Sequence, residues 1–277
     1  MAVLYIVATP IGNLEDITLR ALRVLREVGL IAAEDTRTTR KLLNRYDITT
    51  PLTSYHEHNR AAKIPILMEA LETKDVALVS EAGMPVISDP GRELVLEAIS
   101  AGVPIVPILG ASAVTSSLAI SGLPAGEFLF LGFLPRRKGE RRDLLESLVE
   151  QPYTIVLFEA PHRLQGSLED VLAVLGDRDI AVCRELTKVH EEVFRDTVSQ
   201  ALAHFSNPRG EFTLVIGGAP PSKAVRDPAK DIEQARDELG RLKSQGLKAR
   251  EAVALVARAL GLPRRDVYKL WLDIGPR

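Results

Sequence analysis

The sequence predicts an α/β protein in which two strand–helix units are followed by a helical tail. Three observations carry that prediction. Short apolar runs rich in β-branched residues alternate with segments of helical spacing, as a parallel sheet covered by helices on both faces requires. The alternation pauses at Ser121-Gly122-Leu123-Pro124 and then resumes. It stops at Gly217-Gly218-Ala219-Pro220-Pro221, a breaker cluster with linker character, beyond which only helical spacing remains. These breaks divide the chain into 1–118, 119–221 and 222–277.

The first strand runs from Val3 to Ala8 and closes on the turn Thr9-Pro10-Ile11-Gly12-Asn13. Asp16 is placed to cap a helix whose Leu22, Leu25 and Val28 share a face, and Gly29 ends it. Leu30 to Ala33 is the second strand, leading into Glu34-Asp35-Thr36-Arg37, and Lys41 to Tyr46 reads as helix. The polar cluster Ser54-Tyr55-His56-Glu57-His58-Asn59 precedes a helix that Pro65 must start or kink. Val76 to Val79 is a short buried strand of a parallel sheet. Ser80-Glu81-Ala82-Gly83-Met84-Pro85 follows it, with small residues around one carboxylate. Small residues let a backbone approach a ligand closely, and ligands of open α/β sheets sit at the carboxyl ends of strands. Asp89 suits an N-cap and Pro90 a first helical position for the helix carrying Leu94, Val95, Ala98 and Ile99. Val103 to Ile108 is a further strand, after which Gly110-Ala111-Ser112-Ala113 enters another helix.

In the second unit, Phe128–Phe133, Tyr153–Phe158 and Ile180–Cys183 read as strands, the last two ending at Glu159-Ala160-Pro161-His162-Arg163 and Arg184-Glu185-Leu186-Thr187-Lys188. Glu191–Val198 and Phe212–Ile216 lie close together in sequence and read as antiparallel strands. A basic loop, Arg136 to Arg142, follows the first of these strands.

Composition narrows the class. The chain has 277 residues, 46% of them hydrophobic and 26% charged, which suits a soluble protein of two domains and a small third. No apolar run approaches the roughly 20 residues that span a membrane, and the N-terminus lacks the basic n-region of a signal peptide. Cys183 is the only cysteine, so no internal disulfide forms, and a cytoplasmic setting is expected. There is no G-x-G-x-x-G after a strand, no P-loop, and Gly110-Ala111-Ser112-Ala113-Val114 lacks the second glycine of a nucleophile elbow. His56-Glu57-His58 lacks the spacing of a helical zinc pair, and no metal site is expected.

ATPIGNLEDIT, AAEDTRTT, SYHEHN, SEAGMPVISDPG, GASA, FEAPHR and RELTK occur here in one chain, in that order. Together they resemble the bacterial 16S ribosomal RNA (cytidine-2'-O)-methyltransferase family, the type I small-subunit enzymes, a branch of the tetrapyrrole-methylase-like (class III) methyltransferases. The resemblance covers about residues 1–220, and the tail is similar to that family's C-terminal helical domain. It implies a two-domain α/β enzyme with S-adenosyl-L-methionine in the cleft between the domains. It also implies methylation of a cytidine ribose in the decoding centre and a homodimeric assembly. Carried over by motif, the cofactor loops are Pro10, Ile11 and Gly12; Ser80, Glu81 and Ala82 with Gly83, Met84, Val86 and Ile87 downstream; Ser112 and Ala113; and Phe158. Glu81 stands where the tetrapyrrole enzymes carry aspartate, and its implied role is to face the methionine amino group.

A ribose hydroxyl is a poor nucleophile, so a base or hydrogen-bond acceptor is expected beside it. Asp35, Glu159 and Glu185 are the candidates, each at a strand end and near a cation; His162 is a fourth. The competing reading is that the carboxylates pair with Arg37, Arg163 and Arg184 and only order loops. Arg37, His56 and the loop residues Arg136, Arg137 and Lys138 are candidate RNA contacts; His56 and His58 also suit helix capping.

The tail, Ser222–Arg277, holds 13 Lys/Arg against 8 Asp/Glu, a formal +5 in a chain of −2. Val253, Val256, Leu260, Val267, Leu270 and Trp271 form the core of a helix-turn-helix-like pair broken at Gly261-Leu262-Pro263, with Arg250, Arg258, Arg264, Arg265 and Lys269 left to solvent. Clustered cations in an acidic protein suit phosphate neutralisation, with a dimer-stabilising appendage as the alternative. The partner expected is therefore 16S ribosomal RNA or the small ribosomal subunit, with no membrane. A small-molecule methyltransferase of tetrapyrrole or diphthine type, and a non-catalytic RNA-binding assembly protein, are the rival readings.

Overall fold

The computed structural model describes residues 2–220, 228–260 and 262–274. The chain forms two compact units, Met1–Ala219 and Pro220–Arg277.

The first unit opens with five parallel strands: β1 (Leu4–Val7), β2 (Leu30–Ala33), β3 (Leu52–Ser54), β4 (Val76–Val79) and β5 (Ile105–Ile108). They lie in the order β3-β2-β4-β1-β5. Between them run α1 (Leu19–Glu27), α2 (Thr36–Arg45), α3 (Arg60–Thr73) and α4 (Arg92–Ser100). Leu25 and Leu43 of α1 and α2 pack with Ile31 and Val79 on one face. Leu67 and Leu94 of α3 and α4 pack with Leu4 and Leu78 on the other. Central strands covered on both faces need near-continuous apolar sequence, and β4 is buried at all four positions.

Helix α5 (Ala113–Ser121) leaves the carboxyl end of this sheet, yet its Val114 and Leu118 pack against Val156, Ala181 and Val215 of a second sheet. That sheet comprises β6 (Phe128–Phe133), β7 (Thr154–Glu159), β8 (Asp179–Arg184), β9 (Glu192–Thr197) and β10 (Phe212–Ile216), in the order β6-β7-β10-β8-β9. β6 and β7 are parallel; β10 runs antiparallel to β7 and β8, and β9 antiparallel to β8. α6 (Lys138–Glu146), α7 (Pro161–Leu175) and α8 (Val198–His204) cover the face opposite α5 through Leu145, Leu164, Leu168 and Ala201.

Four local expectations are corrected. α1 is capped by Thr18, whose side chain accepts from the Ala21 N–H, while Asp16 ends a separate 3-10 turn. α2 begins five residues earlier than its apolar spacing suggests, because Asp35 caps a threonine-rich first turn. β3 is absent from the sequence reading, since three residues with Thr and Ser give no period to detect. α4 is capped neither by Asp89 nor opened by Pro90: Gly91 holds the cap position at φ 144° and the helix starts at Arg92.

The second unit is three helices, α9 (Pro228–Ser244), α10 (Ala249–Leu260) and α11 (Arg264–Asp273). Leu239 and Leu242 of α9 share a core with Val253, Val256 and Val267, so the expected helix pair has a third member. Leu260, Leu270 and Trp271 border that core, and the Lys243 ammonium lies 5.0 Å from the Trp271 ring centroid. Gly261 and most of the linker beyond Pro220 lie outside the described residues. No described helix is long and apolar enough to cross a membrane.

Candidate active site

A cavity of about 600 Å3 lies where the carboxyl ends of β1, β2, β4 and β5 meet the ends of β6, β7 and β10. That volume is in the range of small-molecule sites. Ile11, Glu81, Ala82, Gly83, Met84 and Ile87 line it from the loops after β1 and β4, and Ser112 and Ala113 from the start of α5. Phe158 and Glu159 line it from the end of β7. The structure thus brings ten of the sequence-derived site residues to one cavity.

Pro10, Gly12, Ser80 and Val86 do not line it. Gly12 serves a neighbouring loop: a Cβ there would stand 2.6 Å from Lys188 Cγ and 2.9 Å from the Leu186 carbonyl oxygen. Ser80 is buried, and its hydroxyl lies 3.3 Å from the Ala82 carbonyl oxygen, inside its own loop. Val86 adopts φ 76°, a conformation costly for a β-branched residue. Gly83 at φ 79° and Ser88 at φ 66° share the left-handed region. The loop is anchored through Gly83, which exchanges two backbone hydrogen bonds with Thr9, at 2.9 and 3.0 Å.

Phenylalanines and carboxylates both line the cavity. Phe128, Phe130 and Phe133 of β6 join Phe158, with ring centroids 5.1 Å apart for Phe130–Phe158 and 5.6 Å for Phe133–Phe158. The segments after β2 and β4 bring Glu34, Glu81 and Asp89 to it. Burial pushes Glu34 up from the ordinary glutamate value, against the Glu81 N–H that donates to its Oε2 at 3.3 Å. Burial, then the charges of Glu34 and Glu81, push Asp89 up to about 7, with the Ser80 hydroxyl acting the other way.

The three carboxylates offered as bases are placed differently. Glu159 lines the cavity but is fully engaged: it accepts from the Ala160 N–H at 2.9 Å and the Ser167 hydroxyl, and pairs with Arg163 Nε at 3.3 Å. Asp35 faces away as the cap of α2, accepting from the Arg37 N–H at 2.7 Å and the Arg37 guanidinium at 3.0 Å, which holds it down at about 2. Glu185 at φ 51° accepts from the Glu211 N–H at 2.9 Å and Lys188 Nζ at 3.0 Å. Burial raises its pKa, but those donors and Arg184 outweigh burial and hold it below the ordinary value.

Arg136, Arg137 and Lys138 are exposed on a loop held from below. Arg163 donates to the Leu134 and Pro135 carbonyls, and Arg141 to those of Pro135 and Arg136. Arg37 is exposed beside Asp35, while His56 is half-buried with its Nδ1 lacking a partner. In the second unit Arg250, Arg264 and Arg265 line a concavity with Tyr268 and Lys269.

Residues 3–202 match the family of Tetrapyrrole (Corrin/Porphyrin) Methylases, and residues 230–275 match the RsmI C-terminal HTH domain. A relative from Halalkalibacterium halodurans, named Ribosomal RNA small subunit methyltransferase I, is 45% identical over 97% of this chain and 94% of its own. The chain belongs to the ribosomal RNA small subunit methyltransferase I family. A second member, from Thermotoga maritima, is 52% identical over 79% of this chain and 99% of its own, so it is shorter by about the length of the helical unit. Among solved structures, a diphthine synthase shares the fold at TM-score 0.60 and 17% identity, over 78% of this chain and 90% of that one. As a member of this family the chain is a methyltransferase, and its methyl donor is S-adenosylmethionine.

The cavity's donor set fits that group. A methionine end that carries a sulfonium and an ammonium needs anions, and Glu34, Glu81 and Asp89 supply them; an adenine needs apolar surface, and the phenylalanines supply it. Glu34 and Asp89 were missed as site residues. Asp89 stands in SEAGMPVISDPG, where its local pattern is that of a helix cap, and Glu34 is adjacent to Asp35, from which sequence alone does not distinguish it.

Proposed function

We propose that the chain transfers a methyl group from S-adenosylmethionine to the 2'-hydroxyl of a cytidine ribose in the decoding centre of 16S ribosomal RNA. The observation that carries this is the likeness of the whole chain, cavity-bearing unit and basic tail together, to relatives named for the small-subunit RNA. The donor supplies an activated methyl on a sulfonium, and what the protein must add is alignment and a proton acceptor. The loops lining the cavity hold the donor, with Pro10, Gly12, Ser80 and Val86 setting those loops from behind. Of the candidate acceptors, Asp35 and Glu185 are spent on loops and Glu159 on Arg163. Glu34, which lines the cavity and among the described residues accepts the Glu81 N–H alone, is the better-placed acceptor for the hydroxyl proton. Phosphate contacts fall to Arg37, His56, Arg136, Arg137 and Lys138, and in the tail to Arg250, Arg264 and Arg265. We assign α5 to the second α/β domain, and the working enzyme to the cytoplasm as a homodimer.

The test is methyl transfer to small ribosomal subunits from cells lacking this gene, read by mass spectrometry of the RNA. A methyl gain on one cytidine ribose, with none on porphyrin precursors, is the expected result; transfer to porphyrins alone would overturn the reading.

For the tail, the double reversal Arg264→Glu/Arg265→Glu should weaken RNA binding and flatten its salt dependence by roughly one to two counterions. Donor affinity should be unchanged. Binding measured across a salt series checks it, and an unaltered slope would make the tail a packing element.

A further inference from the structure

We propose that Asp89 recognises the positive charge of the methyl donor as a carboxylate, and that donor binding drives its proton into solvent. This rests on the cavity being the donor site. It concerns a residue that the sequence motif assigned to a helix cap.

The geometry separates Asp89 from that capping role. The chain from Ser88 to Gly91 has the local signature of a helix start, yet the cap position passes to Gly91. A side chain on Gly91 could not be accommodated: a Cβ there would sit 2.8 Å from Leu78 Cδ2 and 2.8 Å from Val86 Cγ2. Val86 and Ser88 both hold left-handed backbone conformations on the way, which disfavour residues with a Cβ. Gly132, at φ 64° in β6, closes on the loop so tightly that a Cβ would stand 2.8 Å from Ser88 Oγ. Tight packing against both sheets thus overrides the local helix signal and leaves the Asp89 carboxyl lining the cavity.

The charges around Asp89 explain why it needs a ligand. Glu34 faces it from the loop after β2 and Glu81 from the loop after β4. His56 and Arg37 act on those two neighbours, His56 on Glu34 and Arg37 on Glu81. Across the cavity, Glu159 is neutralised by Arg163 and Glu211 by Lys188. Among the described residues no lysine or arginine forms an ion pair with Asp89, Glu34 or Glu81. The corner is therefore short of positive charge, and without ligand Asp89 keeps its proton near neutrality. A cationic ligand reverses that balance: the neutral acid ionises, the carboxylate pairs with the cation, and one proton leaves per ionisation.

Linkage fixes the sign. Donor affinity should rise with pH as Asp89 ionises in the free protein and level off above the transition. For a group half-protonated at pH 7, the affinity should be about tenfold tighter at pH 8 than at pH 6, and about half a proton should be released per donor at pH 7.

The experiment is calorimetric titration of S-adenosylmethionine into the full-length protein at pH 6, 7 and 8. At pH 7 it is repeated in phosphate and in Tris, whose ionisation enthalpies differ. Wild type should show a buffer-dependent heat at pH 7 and the tenfold gain. Asp89→Asn, checked as folded by circular dichroism, should lose both and match wild type most closely at pH 6. Glu34→Gln should move the transition to lower pH and so release less than half a proton per donor at pH 7, because one neighbouring charge is gone. A wild type without buffer dependence overturns the proposal, as does an Asp89→Asn protein that still releases the proton. Absence of donor binding in a folded wild type would instead overturn the placement of the donor in this cavity.

Discussion

Gly83→Val should leave a folded protein that binds S-adenosylmethionine roughly a hundredfold more weakly, a loss of about 2.8 kcal/mol. Two observations set the sign. A Cβ at Gly83 would meet Ile11 Cγ2 at 3.6 Å and the Ala111 carbonyl oxygen at 3.8 Å, ordinary contact distances, so the fold has room for it. The remaining bulk of a valine lies against the cavity that Gly83 lines. Overpacking and a β-branched residue at φ 79° each cost about 1–3 kcal/mol. Part of that cost appears as a lower melting temperature and part as lost affinity. Calorimetry paired with thermal unfolding separates the two. Wild-type affinity in the folded variant would remove Gly83 from the donor site.

Asp170→Asn should cost about 3–5 kcal/mol of stability, the range for stripping one partner from a buried ion pair. Asp170 is almost wholly buried on α7 and takes Arg141 Nε at 2.8 Å and Arg142 Nε at 2.7 Å on its two oxygens. Asparagine keeps the volume but leaves the buried Arg141 without its anion. For a unit of this size the melting temperature should fall by on the order of 10 °C. The pH dependence has a definite sign. Burial would raise the Asp170 pKa, but Arg142 and Arg141 overcome that and hold it below the ordinary 3.8. Its contribution is therefore full above the unfolded-state value and is lost as the pH falls through the lower folded-state value. Unfolding curves for wild type and Asp170→Asn should converge at the acid end. A variant as stable as wild type at neutral pH would show that the arginines find other partners.

Sequence and structure agree wherever burial alone decides the outcome. β1, β2 and β4 are short apolar runs because both faces of the sheet are covered, and that requirement is visible without coordinates. β9 pairs antiparallel with β8 after the short connection 185–191, but β10 follows α8 and pairs with β7 and β8 rather than with β9, so closeness in sequence does not predict its neighbours. Agreement fails where long-range contact overrides a local rule. Ser88-Asp89-Pro90-Gly91 is a helix-start signature by itself, and only the crowding of Gly91 against Leu78 and Val86 hands the cap to glycine and leaves Asp89 in the cavity. Gly12 is another case. A glycine after a strand reads the same whether a ligand or a neighbouring loop needs the space, and here the neighbour is Leu186–Lys188. Asp35 and Glu34 are adjacent in sequence, yet one caps a helix and the other lines the cavity, a difference that only the backbone path after β2 reveals.

The path of α5 has a mechanical consequence. It starts on Ser112, whose hydroxyl caps it, directly after the last strand of the first sheet, and it is bolted to the second sheet by Val114 and Leu118. Gly110, just ahead of it, sits so close to Ala8 that a Cβ would meet the Ala8 Cβ at 2.9 Å. The crossing between the sheets is thus closely packed at both of its ends. With the donor placed in this cavity as proposed, turnover should respond to stiffening of the Gly83–Gly91 rim, where Gly83, Val86 and Ser88 hold left-handed conformations, more than to a change at the packed crossing.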